Sequence, residues 1–199
     1  MTALKAHEVE RFVAKPDLEQ GAILVYGPDS GLVREIAQRM VQHFSGSDAG
    51  SMNLVVLDGS ELDADPGRLA VEAKTVSLFG DRRVVRVRGA GKSSVMPLTE
   101  LLENPSGAVV VLEAGNLPPR DALRALVEGN RHGRTLPCYP DTDETLIRLI
   151  NDWLAERGIR AEPDVAGTLR ENLGNDREVT RRELEKLAFY AADSGILTR

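Results

Sequence analysis

Cysteine is almost missing from this chain of 199 residues, where Cys138 stands alone. One thiol can form neither an internal disulfide nor a Cys-rich zinc module, a pattern that fits a reducing compartment. Histidine is nearly as scarce: His7, His43 and His132 are scattered and none is near Cys138, so no nucleophile and base pair emerges. No apolar run approaches the length of a membrane span. The start, Met1-Thr2-Ala3-Leu4-Lys5, leads into no uninterrupted apolar segment of the kind a signal peptide needs. Excess positive charge is absent too, since 25 Lys+Arg face 31 Asp+Glu for a net charge of −6. A general affinity for nucleic acid is thereby excluded, and any DNA contact has to be local or shared with partners. What is present is a hydrophobic fraction of 42%, enough for one large domain or a medium one with a small companion.

The stretch Ala22-Ile23-Leu24-Val25-Tyr26-Gly27-Pro28-Asp29-Ser30-Gly31-Leu32-Val33 places an apolar strand, a glycine-bounded turn and a helix in succession. That is the setting of a nucleotide-binding P-loop. The chemistry is not there. A working loop reads G-x-x-x-x-G-K-[ST], whereas three residues separate Gly27 from Gly31 and Leu32-Val33 stand where Lys and Ser/Thr belong. No ammonium can then meet the β and γ phosphates, and no hydroxyl can hold Mg²⁺. Gly27, Pro28, Asp29, Ser30 and Gly31 therefore form a degenerate P-loop, and no nucleotide or other cofactor is expected.

Elements alternate along the first two thirds of the chain. Thr2 can cap a helix over about 3–14. Strands are expected at 22–26, 53–57, 83–88, 108–112 and 134–138, with helices near 30–43, 66–77, 95–102 and 119–128. Continuously apolar strands between amphipathic helices indicate an α/β fold, a mostly parallel sheet flanked by helices. Past Tyr139-Pro140-Asp141 no strand is convincing, and helical patterns cover 143–157, the residues after Pro163-Asp164 as far as Leu173, and 178–192, with Gly158 and Gly174 as stops. The expected organisation is residues 1–140 as the α/β domain and 141–199 as a small three-helix domain. Trp153 lies on an apolar helix face and is expected in its core.

Other groupings carry two readings each. Gly89-Ala90-Gly91-Lys92-Ser93-Ser94 contains Gly-Lys-Ser, but the first glycine of a P-loop would fall at Arg86, inside a strand. An exposed strand-to-helix turn, with Ser94 capping the next helix, explains it more simply. Arg82, Arg83, Arg86 and Arg88 form either a phosphate-binding strip or the basic halves of intramolecular pairs. Asp141, Asp143 and Glu144 read as an acidic first helical turn rather than a metal site. In the 66–77 helix Leu69, Ala73 and Val76 form the buried stripe. At about 100° per residue, a helix continued past them cannot bury both Leu78 and Phe79 in the same core. Either the helix stops at Ser77 and both fold inward, or they form an exposed apolar tip that fits a partner's pocket.

Tyr26-Gly27-Pro28-Asp29-Ser30-Gly31-Leu32-Val33, Ser77-Leu78-Phe79-Gly80-Asp81-Arg82-Arg83, Cys138-Tyr139-Pro140-Asp141 and Glu183-Leu184-Glu185-Lys186-Leu187 together resemble the delta-subunit family of the bacterial DNA polymerase III clamp loader. The resemblance implies an AAA+-like domain, a helical lid and a cytoplasmic replication protein. Such a subunit is no enzyme by itself; it is a subunit of the DNA-directed DNA polymerase (nucleotidyltransferase) holoenzyme. It also implies partners: the beta sliding clamp, the other subunits of a hetero-pentameric loader, and primer-template DNA only through the assembled loader. Carried over, the clamp-binding residues are Leu78 and Phe79, with Ser77 and the helix before them as support. The zinc module and the Ser-Arg-Cys motif of other loader subunits are absent, and the third, collar-forming domain of the family is not expected within these 199 residues. Two other functions remain at this level, an NTPase using the Gly27 or Gly89 loop and a DNA-binding module using Arg82 to Arg88.

Overall fold

Runs such as Ala22-Ile23-Leu24-Val25 and Val109-Val110-Val111-Leu112 have no polar side, so they need cover on both faces. A parallel sheet with helical crossovers supplies it. The computed structural model describes residues 3–46, 53–75, 82–140, 143–162, 165, 167–169, 177–191 and 196–197. The chain divides into two compact units, residues 1–138 and 139–199.

In the first unit β1 (Gly21–Tyr26), β2 (Leu54–Asp58), β3 (Val84–Arg88), β4 (Val109–Ala114) and β5 (Gly133–Pro137) form one sheet in the order β2-β3-β4-β1-β5. Every neighbouring pair is parallel. The five expected strands are all present, each shifted by no more than two residues at an end. The helices are α1 (Val9–Ala14), α2 (Ser30–Ser45), α3 (Gly59–Ala64), α4 (Gly67–Lys74), α5 (Val95–Glu103) and α6 (Ala122–Gly129). Strand alternation divides the core. Ala22, Leu24 and Tyr26 of β1 pack with Leu69 and Ala73 of α4, Leu98 and Leu102 of α5, and Leu123 and Val127 of α6. Ile23 and Val25, on the opposite face, pack with Phe12 and Val13 of α1 and Ile36, Met40 and Phe44 of α2.

Two expectations for this unit change. The helix expected over 3–14 begins later, as a 3₁₀ turn at Ala6–Glu8 that leads into α1. Ala3 instead bridges Thr135, and Leu4 N–H donates to the Thr135 carbonyl at 3.3 Å, so the first residues pair with the outer edge of β5. Edge pairing satisfies backbone groups that a longer helix would leave open. The helix expected over 66–77 is α4, shorter at its end, and an unexpected helix, α3, precedes it. A capping box, in which Asp58 N–H donates to the Glu61 carboxylate at 2.9 Å, nucleates α3 before Pro66 interrupts. That hydrogen bond, with Arg68 nearby, holds the Glu61 carboxyl below the usual carboxylate range. α4 then ends at Lys74, where Thr75 turns to extended backbone at φ −67° and ψ 121°.

The second unit contains α7 (Asp143–Glu156), β6 (Arg160–Ala161), helical residues at 165 and 167–169, α8 (Arg177–Ala191) and β7 (Ile196–Leu197). Gly158 stops the first helix with φ +67°, a value that favours glycine. Ile150, Trp153, Leu154, Leu184 and Leu197 form the core, and the Arg157 guanidinium lies 3.8 Å from the centre of the Trp153 ring. Trp153 is thus a core residue. The expectation of no strand here is corrected: β6 and β7 pair in parallel over two residues each. Elements this short have no readable period. Asp141, Pro163, Asp164, Leu173 and Gly174 lie outside the described residues.

Candidate functional site

β1 lies between β4 and β5, and the connections that leave the adjacent strands β1 and β4 run in opposite directions across the sheet, one to β2 and the other to β5. The carboxyl end of such a strand is where parallel α/β sheets hold ligands. In this chain the place is filled by the protein itself. Gly27 N–H donates to the Gly115 carbonyl at 3.2 Å, and Cys138 N–H donates to the Tyr26 carbonyl at 2.7 Å. A Cβ added to Gly27 would fall 1.8 Å from the Cys138 carbonyl oxygen, so only glycine lets the end of β5 lie against the turn. Pro28 and Ser30 are exposed, whereas Gly27, Asp29 and Gly31 are buried.

Asp29 makes the decisive contact. Its backbone is extended at φ −87° and ψ 94°, its carboxylate Oδ1 accepts from Leu32 N–H at 2.9 Å, and its carbonyl accepts from Val33 N–H at 3.0 Å. This is an N-cap, and it sets a buried carboxylate, 6% exposed, at the positive end of the α2 dipole. A phosphate would seek that same end. Leu32 and Val33, standing where Lys and Ser/Thr would act, are buried in the core shared with α1. At the ends of β3 and β4 stand Arg88 and Ala114, neither of them a carboxylate that could hold Mg²⁺. The turn keeps the P-loop course of the backbone, and its anion-attracting end is satisfied from within.

The second glycine cluster is an ordinary connection. Gly89 has φ +63°, the Ala90 N–H is taken by the Glu113 carbonyl at 2.7 Å, and Lys92–Ser94 form a 3₁₀ turn into α5. Ser94 is fully buried and makes no side-chain cap bond, which corrects the expected role. The basic segment is largely consumed inside the protein. Arg86 forms a buried ion pair with Glu113, and Arg83 Nη2 meets Glu72 Oε2 at 2.7 Å. The Arg82 guanidinium lies 5.8 Å from the Phe44 ring centre. Arg88 is exposed. Among the described residues no three His, Cys, Asp or Glu are placed to hold a metal ion, and no helix is long and apolar enough to cross a membrane.

The end of α4 is built as carefully as the start of α2. The Val71 carbonyl accepts from Thr75 N–H at 3.1 Å and from Thr75 Oγ1 at 2.8 Å. The Glu72 carbonyl accepts from Arg83 Nε at 3.3 Å, and the Ala73 carbonyl from Ser106 Oγ at 2.8 Å. These are among the carbonyls a helix end leaves without partners. Lys74 pairs with Glu100 of α5. Because α4 stops here, the helical phase used above for Leu78 and Phe79 does not extend to them. Ser77, Leu78 and Phe79 lie outside the described residues. Arg83, 11 positions away, realises the intramolecular pairing expected of its basic segment, whereas Ser106, 33 positions away, carries no local pattern that marks it. The Asp29 cap did have a signal, an Asp directly before an apolar helical pattern.

Comparison with known proteins agrees with this geometry. Residues 23–119 match the family described as DNA polymerase III, delta subunit. A probable DNA polymerase III subunit delta from Rickettsia prowazekii (strain Madrid E) is 22% identical over 176 residues, 86% of this chain and 51% of that protein. Among solved structures, the Bacillus subtilis DNA clamp loader delta protein superposes with a TM-score of 0.65 at 19% identity, covering 98% of this chain and 60% of that one. The Thermotoga maritima RuvB Holliday junction branch migration motor gives a TM-score of 0.60 at 14% identity, covering 94% and 60%. The chain therefore spans about half the length of the curated relative and 60% of these solved chains. The fold is AAA+-like, and the resemblance to the delta subunit seen in the motifs is borne out by the family match, the curated relative and the superposition.

Proposed function

We propose that this chain, which carries the DNA polymerase III delta-subunit pattern over residues 23–119 on an AAA+-like fold, works as a non-catalytic clamp-loader subunit. On this reading it binds the beta sliding clamp and helps to open it for loading onto primed DNA. The observation that carries the proposal is the Asp29 cap: the strand-to-helix turn has the P-loop course, yet a buried carboxylate holds the end of α2 that would otherwise attract phosphate. Its work then lies in binding. Leu78 and Phe79 are the proposed contact, inserted into an apolar pocket of the clamp, with Ser77 beside them. The other loader subunits, in a hetero-pentamer within the cytoplasm, supply nucleotide chemistry and bring primer-template DNA.

Burying a Leu and a Phe contributes roughly 3–6 kcal/mol. Micromolar affinity needs about 8 kcal/mol, so contacts around the pair supply the remainder and offset the cost of association. Ring opening follows if the chain binds the open clamp more tightly than the closed one, a difference in affinity that needs no chemistry in this subunit. The test replaces Leu78 and Phe79 together by Ala and measures capture of purified sliding clamp on a biosensor. Roughly a hundredfold loss or more is expected from the apolar area removed. Undiminished capture by a folded double variant means the contact is elsewhere. The NTPase reading predicts saturable micromolar binding of labelled ATP with Mg²⁺, and the DNA-binding reading predicts steeply salt-dependent affinity of the chain alone. Neither is expected, because Asp29 caps α2 and both Arg83 and Arg86 are already paired.

A further inference from the structure

α8 turns its core residues to one side and a phenylalanine to the other. Leu184 and Ala191 are buried in the cluster that holds Trp153 and Leu154 of α7. Phe189 follows Leu184 by five residues, roughly 140° around the helix, so it cannot share that core. It is 83% exposed. Beside it lies a hollow of about 360 Å³, lined by Trp153 and Arg157 on one element and by Glu185, Ala188 and Phe189 on the other. A hollow of that size accepts an aromatic side chain. Arg157, directly after α7, lies over the Trp153 ring at 3.8 Å and donates to the Trp153 carbonyl at 3.4 Å, which fixes its guanidinium at the rim. Its acidic neighbour, Glu156, is 3.8 Å away, and with side chains 43% and 75% exposed that pair contributes little. Glu185, one turn before Phe189 on the same face of α8, is exposed and pairs with no described residue.

An apolar knob, a hollow and charges of both signs therefore share one small face. A partner of a single charge sign leaves one of the two charges opposed, whereas a copy of the same face turned about a two-fold axis sets cation against anion twice. We propose that this face pairs with the same face of a second copy of the chain. Phe189 of each copy lies in the hollow of the other, the two rings meet near the axis, and Arg157 faces Glu185 of the partner subunit. The aromatic residues supply most of the affinity, as buried aromatic anchors do in interfaces generally. The charges set the register and disfavour other arrangements. Every residue used belongs to the second unit, so the proposal stands apart from the assignment of Leu78 and Phe79.

The test is sedimentation equilibrium of the full chain between about 10 and 500 µM, a range suited to a small interface. The mass is expected to rise from monomer towards dimer across it. Phe189→Ala is expected to weaken association about tenfold or more, with the thermal midpoint near that of the parent because the ring it removes is exposed. Arg157→Glu and Glu185→Arg each set like charges against one another, and each alone is expected to weaken the dimer. Mixed in equal amounts, these two variants are expected to form a heterodimer about as tight as the parent dimer, read by native mass spectrometry. Pairing within a single copy does not produce that recovery. A parent chain that stays monomeric throughout the range overturns the proposal and leaves the face to a partner of other chemistry. A dimer unaltered by both Phe189→Ala and Glu185→Arg overturns it too, because another surface then joins the copies. If Arg157→Glu does not fold, having lost its place on Trp153, the two variants at exposed positions decide by the same measurement.

Discussion

Two helix ends in one domain are finished in different ways. At the start of α2 a residue directly before the helix, Asp29, turns its carboxylate onto the Leu32 N–H. At the end of α4 the carbonyls of Glu72 and Ala73 wait for Arg83 and Ser106, 11 and 33 positions along the chain. The first end is completed by local chemistry. The second is completed only when β3 and the segment before β4 have been brought alongside. One helix end is satisfied by a neighbour in sequence, whereas the other draws its partners from the sheet.

The sharpest way to break the comparison is to disturb the packed turn itself. Gly27→Ala drives a Cβ against the Cys138 carbonyl and is expected to cost about 3 kcal/mol or more. Gly89→Ala meets no atom within 4 Å and suffers only the strain of φ +63°, about 1 kcal/mol. Urea denaturation of both variants checks the difference, and equal losses would remove the claim that the first turn is tightly packed and the second open. Next in size is the cap. Asp29→Ala is expected to cost about 1 kcal/mol in the same measurement, and Asp29→Asn less, because an amide oxygen still accepts from Leu32 N–H. Asp29→Ala should gain no saturable ATP affinity, since Leu32 and Val33 stay buried; micromolar binding by that variant would mean the carboxylate alone had blocked a working site.

The smallest effect concerns a third helix end, the start of α3. The Glu61 carboxyl is held below the usual range, first by the Asp58 N–H and then by Arg68. Its contribution is therefore present above the pKa of the unfolded chain and is lost as pH falls through the lower, folded value. An NMR titration is expected to place the Glu61 midpoint below that of an unstructured glutamate, and Glu61→Gln to flatten this part of the acid dependence. A midpoint at the ordinary value would show the capping box to be unformed in solution.

The apolar runs of β1 and β4 gave their strands because a segment without a polar side must be covered twice. The missing Lys and Ser/Thr after Gly31 disclosed the degenerate loop because phosphate chemistry needs those groups. α3 was missed because Asp58-Gly59-Ser60-Glu61 looks like a loop until its capping box is recognised. The end of α4 was placed too late because apolar spacing continues through Val76, and spacing records what a helix could bury rather than where its carbonyls find partners.

Residue patterns alone were enough for the parallel sheet, for the alternation of its strands and helices, and for the absence of Lys and Ser/Thr from the Gly27 turn. Each follows from short-range residue patterns or from the identity of a few side chains. Packing, by contrast, set the pairing of Arg86 with Glu113 inside the core and the end of α4 at Lys74, where Arg83 and Ser106 take its last carbonyls. The physical reason is range: such partners are distant in sequence, and nothing in either segment alone encodes a contact that exists only when β3, β4 and their helices have packed together.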